Sequence, residues 1–397
     1  MNEIFIDVDY NQTYKAGQKI GGDVFLQSRD PVSQQIVCTL SDGLGSGVKA
    51  NVLANLTANM AHKLSFSPMH LTKSAKIIMN TLPVCNERKI SYSTFTIADI
   101  RPNLDKTVTV QLIEYDNPRV LHFSHSAVID IVAQEIELHR EGAFKHEIIR
   151  QSTFSMAQGD RLIMFTDGVT QSGMGRSLPL GWRQAGVVEF ITNILQKDPH
   201  ISSRELAELI TRKASTLDGL AAKDDITCAV IYVRKPRKTL IVTGPPFTKE
   251  RDAQLGERMR NFDGKKIVSG GTTAQIVARL FQTKVKVDLS CWSPQVPPAS
   301  KMAGIDLVTE GMLTLGKVAT ALENKTSIYA MPDDAVRRFV MLLLDSDHVS
   351  FIVGTKINEA HQDPSIPVEI GIRRTIVGRV RQALEQNYLK ETVLEYI

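Results

Sequence analysis

Cysteine is scarce in this sequence and never paired: Cys38, Cys85, Cys228 and Cys291 are widely spaced, with no Cys-x-x-Cys among them. That pattern suggests neither a structural zinc knot nor a disulfide framework, and it suits a reducing cytosol. Long hydrophobic runs are also missing, since no stretch approaches the roughly 18 apolar residues of a membrane span. The N-terminus MNEIFIDVDY has no basic segment followed by an apolar one, so no secretory leader is expected either. The expected location is the cytoplasm, without membrane attachment. An excess of charge of one sign is lacking too: 47 Lys+Arg against 43 Asp+Glu leave +4. On this length that is too little to point to nucleic acid or an anionic membrane as partner. No Gly-Lys-Ser/Thr loop, no Gly-x-Gly-x-x-Gly and no internal repeat occurs.

What is present is an ordinary globular composition, with 43% hydrophobic and 23% charged residues. At 397 residues the chain is too long for one ordinary core. Its texture changes near the charged stretch KPRK at 235–238, which divides an expected first domain, 1–236, from a second, 239–397. The first block is dominated by short strand-like runs: EIFIDV, DVFLQS, QQIVCTL, ISYSTFTIADI, TVTVQLIEY, RVLHFS, RLIMFT and ITCAVIYV. Several have no helix between them, which favours antiparallel pairing. Helical periodicity is confined to GVKANVLANLTANMAHKL, where Val52, Leu53, Leu56 and Met60 recur, to HLTKSAKIIMNTL, to GWRQAGVVEFITNIL and to SSRELAELITRKASTL. The fold class expected is α+β, an α-β-β-α sandwich followed by a smaller α/β domain.

In the second block strands and helices alternate, from TLIVTGPP and ERDAQLGERMRNF through KKIVSGG and TTAQIVARLF to IDLVTEG, which predicts a parallel sheet with crossover helices. KVKVDL reads as a further strand, and the tail VEIGIRRTIVGRVRQALEQNYLKETVLEYI as one long amphipathic helix. The glycine-rich SGGTTAQ, Ser269 to Gln275, opens a helix and is compatible with an anion site or with a plain strand-to-helix turn. Asp306 and Glu310 are expected to line the same crevice at the carboxyl ends of the strands.

Acidic residues at strand ends carry the chemistry. Asp42 in LSDGLGSG, Asp167 in MFTDGVTQS, and Asp224 with Asp225 in KDDITCAV each adjoin an apolar strand, and Asp23 in KIGGDVFL starts another. Taken singly, an Asp-Gly after a strand is usually a turn. Taken together, four such strand ends would gather like charges in a small volume if they converge, and a cation would then be required. Mg²⁺ or Mn²⁺, hard ions satisfied by oxygen, suit an all-Asp site without His or Cys. The glycines after Asp42 allow a tight turn into a helix and bring the Gly43 carbonyl within ligand range.

The ordered set GGDVF, SDGLGSGVKA, FTDGVTQS and DDITCAVIYV resembles the metal-dependent Ser/Thr protein phosphatases of the PPM class, specifically the bacterial branch typified by stage II sporulation protein E (SpoIIE). The resemblance covers roughly residues 10 to 234 and is specific in the four motifs. It implies the same α-β-β-α sandwich and two ions, Mn²⁺ or Mg²⁺. It implies that Asp42 bridges them, that Gly43 offers its carbonyl to the second, and that Asp23 is a carboxylate of the second. Asp167 and Asp224 are implied as ligands of the first, which makes Asp42, Asp167 and Asp224 the catalytic set, and Asp225 orients its neighbour.

A water shared by the two ions would attack phosphorus in line, with no covalent phosphoenzyme. The absence of a partnering motif for His122, His125 or His139 agrees with that. Where eukaryotic members carry a His after Asp-Gly this chain has Leu44, so the acid for the leaving oxygen is left to water on a metal; Lys49 reads as a solvated helix lysine. The expected function is hydrolysis of phosphoserine or phosphothreonine on a bacterial regulatory protein, such as an anti-sigma factor antagonist. The alternatives are a catalytically silent scaffold and a small-molecule sensor acting through the second domain. That domain could equally serve regulation, partner docking or a homodimer.

Overall fold

Strands buried along their whole length need cover on both faces, and in the N-terminal half two strands meet that condition and a third does so in all but its last residue. In the computed structural model, which describes residues 4–45, 47–66, 71–82, 93–138, 147–290, 293–356 and 366–397, these are β3 (Ile36–Asp42), β10 (Asp160–Phe165) and β11 (Ile226–Arg234). The chain divides into two units, Met1–Lys235 and Pro236–Ile397. His139, Cys85 and Cys291 lie outside the described residues. No described helix is long and apolar enough to cross a membrane.

In the first unit one antiparallel sheet has the order β1-β11-β10-β6-β7, with β1 (Phe5–Thr13), β6 (Leu121–Ser124) and β7 (Ala127–Ile129). The other has the order β2-β3-β4-β5-β9-β8, with β2 (Asp23–Arg29), β4 (Phe95–Pro102), β5 (Val108–Tyr115), β8 (Gln134–Leu138) and β9 (Glu147–Met156). Helices α4 (Arg183–Lys197) and α5 (Ser203–Leu217) place Val187, Ile191, Leu206 and Ile210 against Phe123, Ile163 and Val230 of the first sheet. Helices α1 (Gly47–Ser65) and α2 (Leu71–Thr81) place Ala61, Ala75 and Ile78 against Val37, Ile97 and Ile113 of the second. Ser202 starts α5 with a capping box closed by Glu205, which satisfies donors that would otherwise be orphaned.

Helix α1 turns a different face inward from the one its large apolar residues suggest. Ala50, Ala54, Thr57, Ala58 and Ala61 are buried, whereas Val52 is 59% exposed and Leu56 47%. Small side chains let the helix lie close to the sheet, and that proximity outweighs burial of the larger ones.

The second unit has a sheet of order β14-β15-β16-β13-β12-β17-β18. Its parallel part comprises β12 (Lys238–Thr243), β13 (Lys265–Ser269), β16 (Ile305–Thr309), β17 (His348–Val353) and β18 (Glu391–Tyr396). β15 (Ser300–Met302) and a two-residue β14 (Lys286–Val287) extend it antiparallel, so KVKVDL forms far less strand than its alternation predicts. Along β12, Ile241 faces the core of α8 (Met312–Glu323), α9 (Ala335–Leu344) and α10 (Ile366–Tyr388). Leu240 and Val242 face that of α6 (Glu250–Asn261) and α7 (Gly271–Leu280), as period-2 alternation requires. Mixed helix and sheet content in both units bears out the expected class.

The tail departs from expectation. It is not one helix: α10 stops at Tyr388, Leu389 takes a left-handed φ of 53°, and Glu391–Tyr396 adds the parallel edge strand β18. The β-branched residues of ETVLEY and a sheet edge to pair with explain the switch.

Candidate active site

Register places the first two acids. In the β2–β3 pair Asp23 stands directly opposite Asp42, so two carboxylates share one end of the second sheet. On the first sheet β10 and β11 run antiparallel, so the end of β10 adjoins the start of β11. Asp167 follows β10 as the first residue of the four-residue α3 (Asp167–Thr170), and Asp224 and Asp225 immediately precede β11.

Hydrogen bonds join the two sheets at this point. The Thr166 and Thr227 hydroxyls both donate to Asp23 Oδ2, at 2.8 and 2.6 Å. Asp225, only 4% exposed, accepts the Gly22 N–H on Oδ2 at 2.6 Å and the Lys15 N–H on Oδ1 at 2.9 Å. Its carboxylate therefore holds the turn that leads into Asp23. The main chain of Asp42 is fixed as well, its carbonyl accepting from Ser93 Oγ and from the Thr94 N–H, both at 2.9 Å. Asn51 of α1 donates to the Gly21 carbonyl at 2.7 Å and ties the helix to the same turn.

The two Asp-Gly glycines are there for space. A Cβ on Gly43 would stand 2.1 Å from the Ala50 carbonyl oxygen, and one on Gly168 would stand 2.0 Å from that of Asp225. Neither has a positive φ, unlike Gly45 and Gly47, which make the turn into α1. The Gly43 N–H donates to the Gly22 carbonyl at 3.2 Å. Its own carbonyl oxygen lies 3.5 Å from where a Cβ on Gly22 would stand.

Electrostatics shows that the acids converge. Burial, then the charges of Asp23, Asp167, Asp224 and Asp225, push the Asp42 carboxyl far above the ordinary carboxylate range. Asp23 is raised by burial, with Asp225 and Asp167 adding to it against the pull of the two threonine hydroxyls. Burial, Asp224 and Asp116 raise Asp167 to about 6, while Gln171 Nε2 donates to its Oδ2 at 2.6 Å. Asp224 is raised by burial and drawn back by the Asp225 N–H and by Lys15.

Among the described residues no three His, Cys, Asp or Glu groups form a ready-made metal cage. The donor set nevertheless fits a hard divalent ion. It consists of buried and half-buried carboxylates at strand ends of the two sheets, each disfavoured by its neighbours, and Mg²⁺ keeps several of its waters, so a ligand can act through one oxygen or through water.

Sequence reasoning missed Thr166, Thr227, Asp116, Lys15 and Asn51. Thr166 and Thr227 border the acidic motifs, but nothing local in the sequence says that their hydroxyls reach Asp23 on the other sheet. Lys49 is exposed on α1. In the second unit Asp306 does not join Glu310. It lies at the start of β16 and pairs with Lys265 at the start of β13, 2.9 Å apart, at the end of these parallel strands opposite to Gly270 and Glu310. Glu310 faces the N-terminus of α7, both carboxylate oxygens 3.9 Å from where a Cβ on Gly271 would stand.

Residues 33–234, just over half of the chain, match the family model described as stage II sporulation protein E (SpoIIE). The chain belongs to the SpoIIE family. The family resemblance is thereby borne out over a stretch that contains three of the four motifs, those of Asp42, Asp167 and Asp224, and with it the phosphatase class. No curated protein matches the sequence. Similar solved structures include the phosphatase domain of SpoIIE from Bacillus subtilis, at 16% identity and a TM-score of 0.43, covering 59% of this chain and 95% of that one. A second is the SpoIIE PP2C phosphatase domain with a fragment of its regulatory domain, also from Bacillus subtilis, at 18% identity, TM-score 0.45, 58% and 63% coverage. A third comprises the RsbU and RsbW domains of Rv1364c from Mycobacterium tuberculosis, at 15% identity, TM-score 0.43, 64% and 67% coverage.

Proposed function

We propose that the first unit is a Mn²⁺- or Mg²⁺-dependent phosphatase that hydrolyses phosphoserine or phosphothreonine on a bacterial regulatory protein, of the kind represented by an anti-sigma factor antagonist. The observation that carries the reading is the meeting of Asp23, Asp42, Asp167 and Asp224 from two sheets, with burial and then neighbouring charges raising the pKa of Asp42, Asp23 and Asp167. Such an arrangement is costly unless cations offset it. Asp42, at the centre of the group, would be shared by two ions. Asp23 and the Gly43 carbonyl would hold the second, and Asp167 and Asp224 the first. When bound, the ions supply an acidified water and positive charge for the phosphoryl oxygens. The chain's part is to fix the acids: Asp225 holds the Gly22 turn, and Gln171 orients Asp167.

Phosphate release from p-nitrophenyl phosphate and from a phosphoserine peptide, with and without Mn²⁺, tests the proposal on wild type and Asp42→Ala. Turnover that requires Mn²⁺ and disappears in the variant is expected. Metal-independent turnover, or full activity in Asp42→Ala, would sink it. The anion-sensor alternative for the second unit loses support from Glu310, whose carboxylate faces the helix end that a phosphate would use.

A further inference from the structure

We infer that Thr166 and Thr227 are positioning residues that clasp Asp23 from the opposite sheet and decide which of its oxygens is presented to a metal ion. The inference rests on the phosphatase reading, because it takes Asp23 as a ligand. Both hydroxyls converge on Oδ2, at 2.8 Å from Thr166 and 2.6 Å from Thr227. The direction of the first bond follows from its surroundings: Thr166 Oγ1 already accepts the Thr227 N–H at 3.2 Å, so its own proton is directed to the carboxylate. Neither threonine exposes any surface and Asp23 exposes 4%, so water does not compete for these bonds.

Two donors on one oxygen lock the carboxylate torsion and leave Oδ1 as the oxygen not engaged by the threonines. The lock crosses between sheets, since Asp23 begins β2 whereas Thr166 and Thr227 flank the junction of β10 and β11. Asp225 completes it by holding the Gly22 N–H. A ligand held in this way loses little freedom when the ion arrives, and outer partners of ligands typically contribute about 10- to 100-fold in metal affinity or activity.

The test is Mn²⁺ binding to the full chain by titration calorimetry, with far-UV circular dichroism as a check on folding. The variants are Thr166→Val, Thr227→Val, their combination, and the two serine substitutions. Each valine variant should weaken Mn²⁺ binding by roughly three- to tenfold and the double variant by at least about tenfold, whereas the serine variants stay within about twofold of wild type. Thr39→Val, which removes another fully buried hydroxyl away from Asp23, should leave affinity unchanged. Folded valine variants that bind Mn²⁺ like wild type would overturn the clasp, as would serine variants as weak as the valine ones. Valine variants that do not fold beside serine variants that do would assign the hydroxyls to folding and overturn it too. If wild type binds no Mn²⁺, it is the phosphatase reading that fails; if wild type binds and the valine variants bind equally, only the clasp fails.

Discussion

The two units treat carboxylates in opposite ways. In the first, four aspartates from separate strand ends crowd together and burial and mutual repulsion raise them above the ordinary range. In the second, buried or half-buried aspartates meet cations or helix ends. Asp288 pairs with Arg338 at 2.9 Å and Lys301 at 3.1 Å, Asp252 with Arg279 at 2.6 Å, and Asp334 accepts the Val336 and Arg337 N–H groups at the start of α9. Its serine and basic partners hold Asp288 well below the usual carboxylate range. One residue type thus contributes cohesion at these positions of the second unit and stored repulsion in the acidic cluster of the first. Repulsion that folding alone does not relieve points to something the chain must bind.

The contrast is tested most strongly by removing one acid from each unit. Asp42→Ala should reduce metal-dependent turnover by on the order of a thousandfold, about 4 kcal/mol of activation free energy. Asp306→Ala, which breaks the exposed pair with Lys265, should leave turnover unchanged and cost less than about 0.5 kcal/mol of stability. Equal losses of turnover in both would erase the distinction. Next in size is Asp347, fully buried, 3.6 Å from Lys390 Nζ and accepting the Arg237 N–H at 2.7 Å. Asp347→Ala removes the carboxylate that faces this buried ammonium and should cost about 3 kcal/mol, read as a fall in the melting temperature.

A smaller effect separates the units by pH. Asp167 has a folded pKa of about 6 against an ordinary 3.8, so the folded state binds the extra proton. Its contribution to stability is full below the ordinary value and is lost as pH rises through about 6. Asp288 has the opposite sign, its contribution persisting above the ordinary value and lost only in stronger acid. In EDTA the first unit should therefore lose on the order of 1 kcal/mol between pH 4 and pH 7, and Mn²⁺ should abolish the loss. Melts followed by Trp182, the tryptophan of the first unit's core, check this; a flat profile in EDTA would remove the repulsion from the argument.

Local signals carried most of what could be read beforehand. The strand runs and the four acidic motifs are contiguous stretches, so the mixed class and the family were visible in the sequence. What was hidden is non-local or context-dependent. Thr227 reaches Asp23 across 204 positions of sequence, and no pattern around either residue announces that bond. Strands β7 and β8 are largely exposed edge strands of only three and five residues, too short to stand out beside the longer apolar runs. The large apolar residues of α1 mark it as a helix in the sequence, yet its alanines are what let it approach the Gly43 backbone. Asp306 is expected in the crevice with Glu310 because parallel sheets place sites at strand carboxyl ends, yet it stands at the start of β16, and only strand direction separates the two.

Glycine sharpens the comparison at the smallest scale. Gly43 in the first unit has no room for a side chain, since the Ala50 carbonyl fills the place of its Cβ. Gly378 of α10 sits on an exposed helix face with nothing within 4 Å of a built Cβ. There glycine only adds chain entropy to the unfolded state, and Gly378→Ala should raise stability by about 0.5 to 1 kcal/mol. Denaturant melts of the full chain measure the gain, and turnover should not change. A loss of stability would mean that this face of α10 is covered in solution, placing Gly378 in the same class as Gly43.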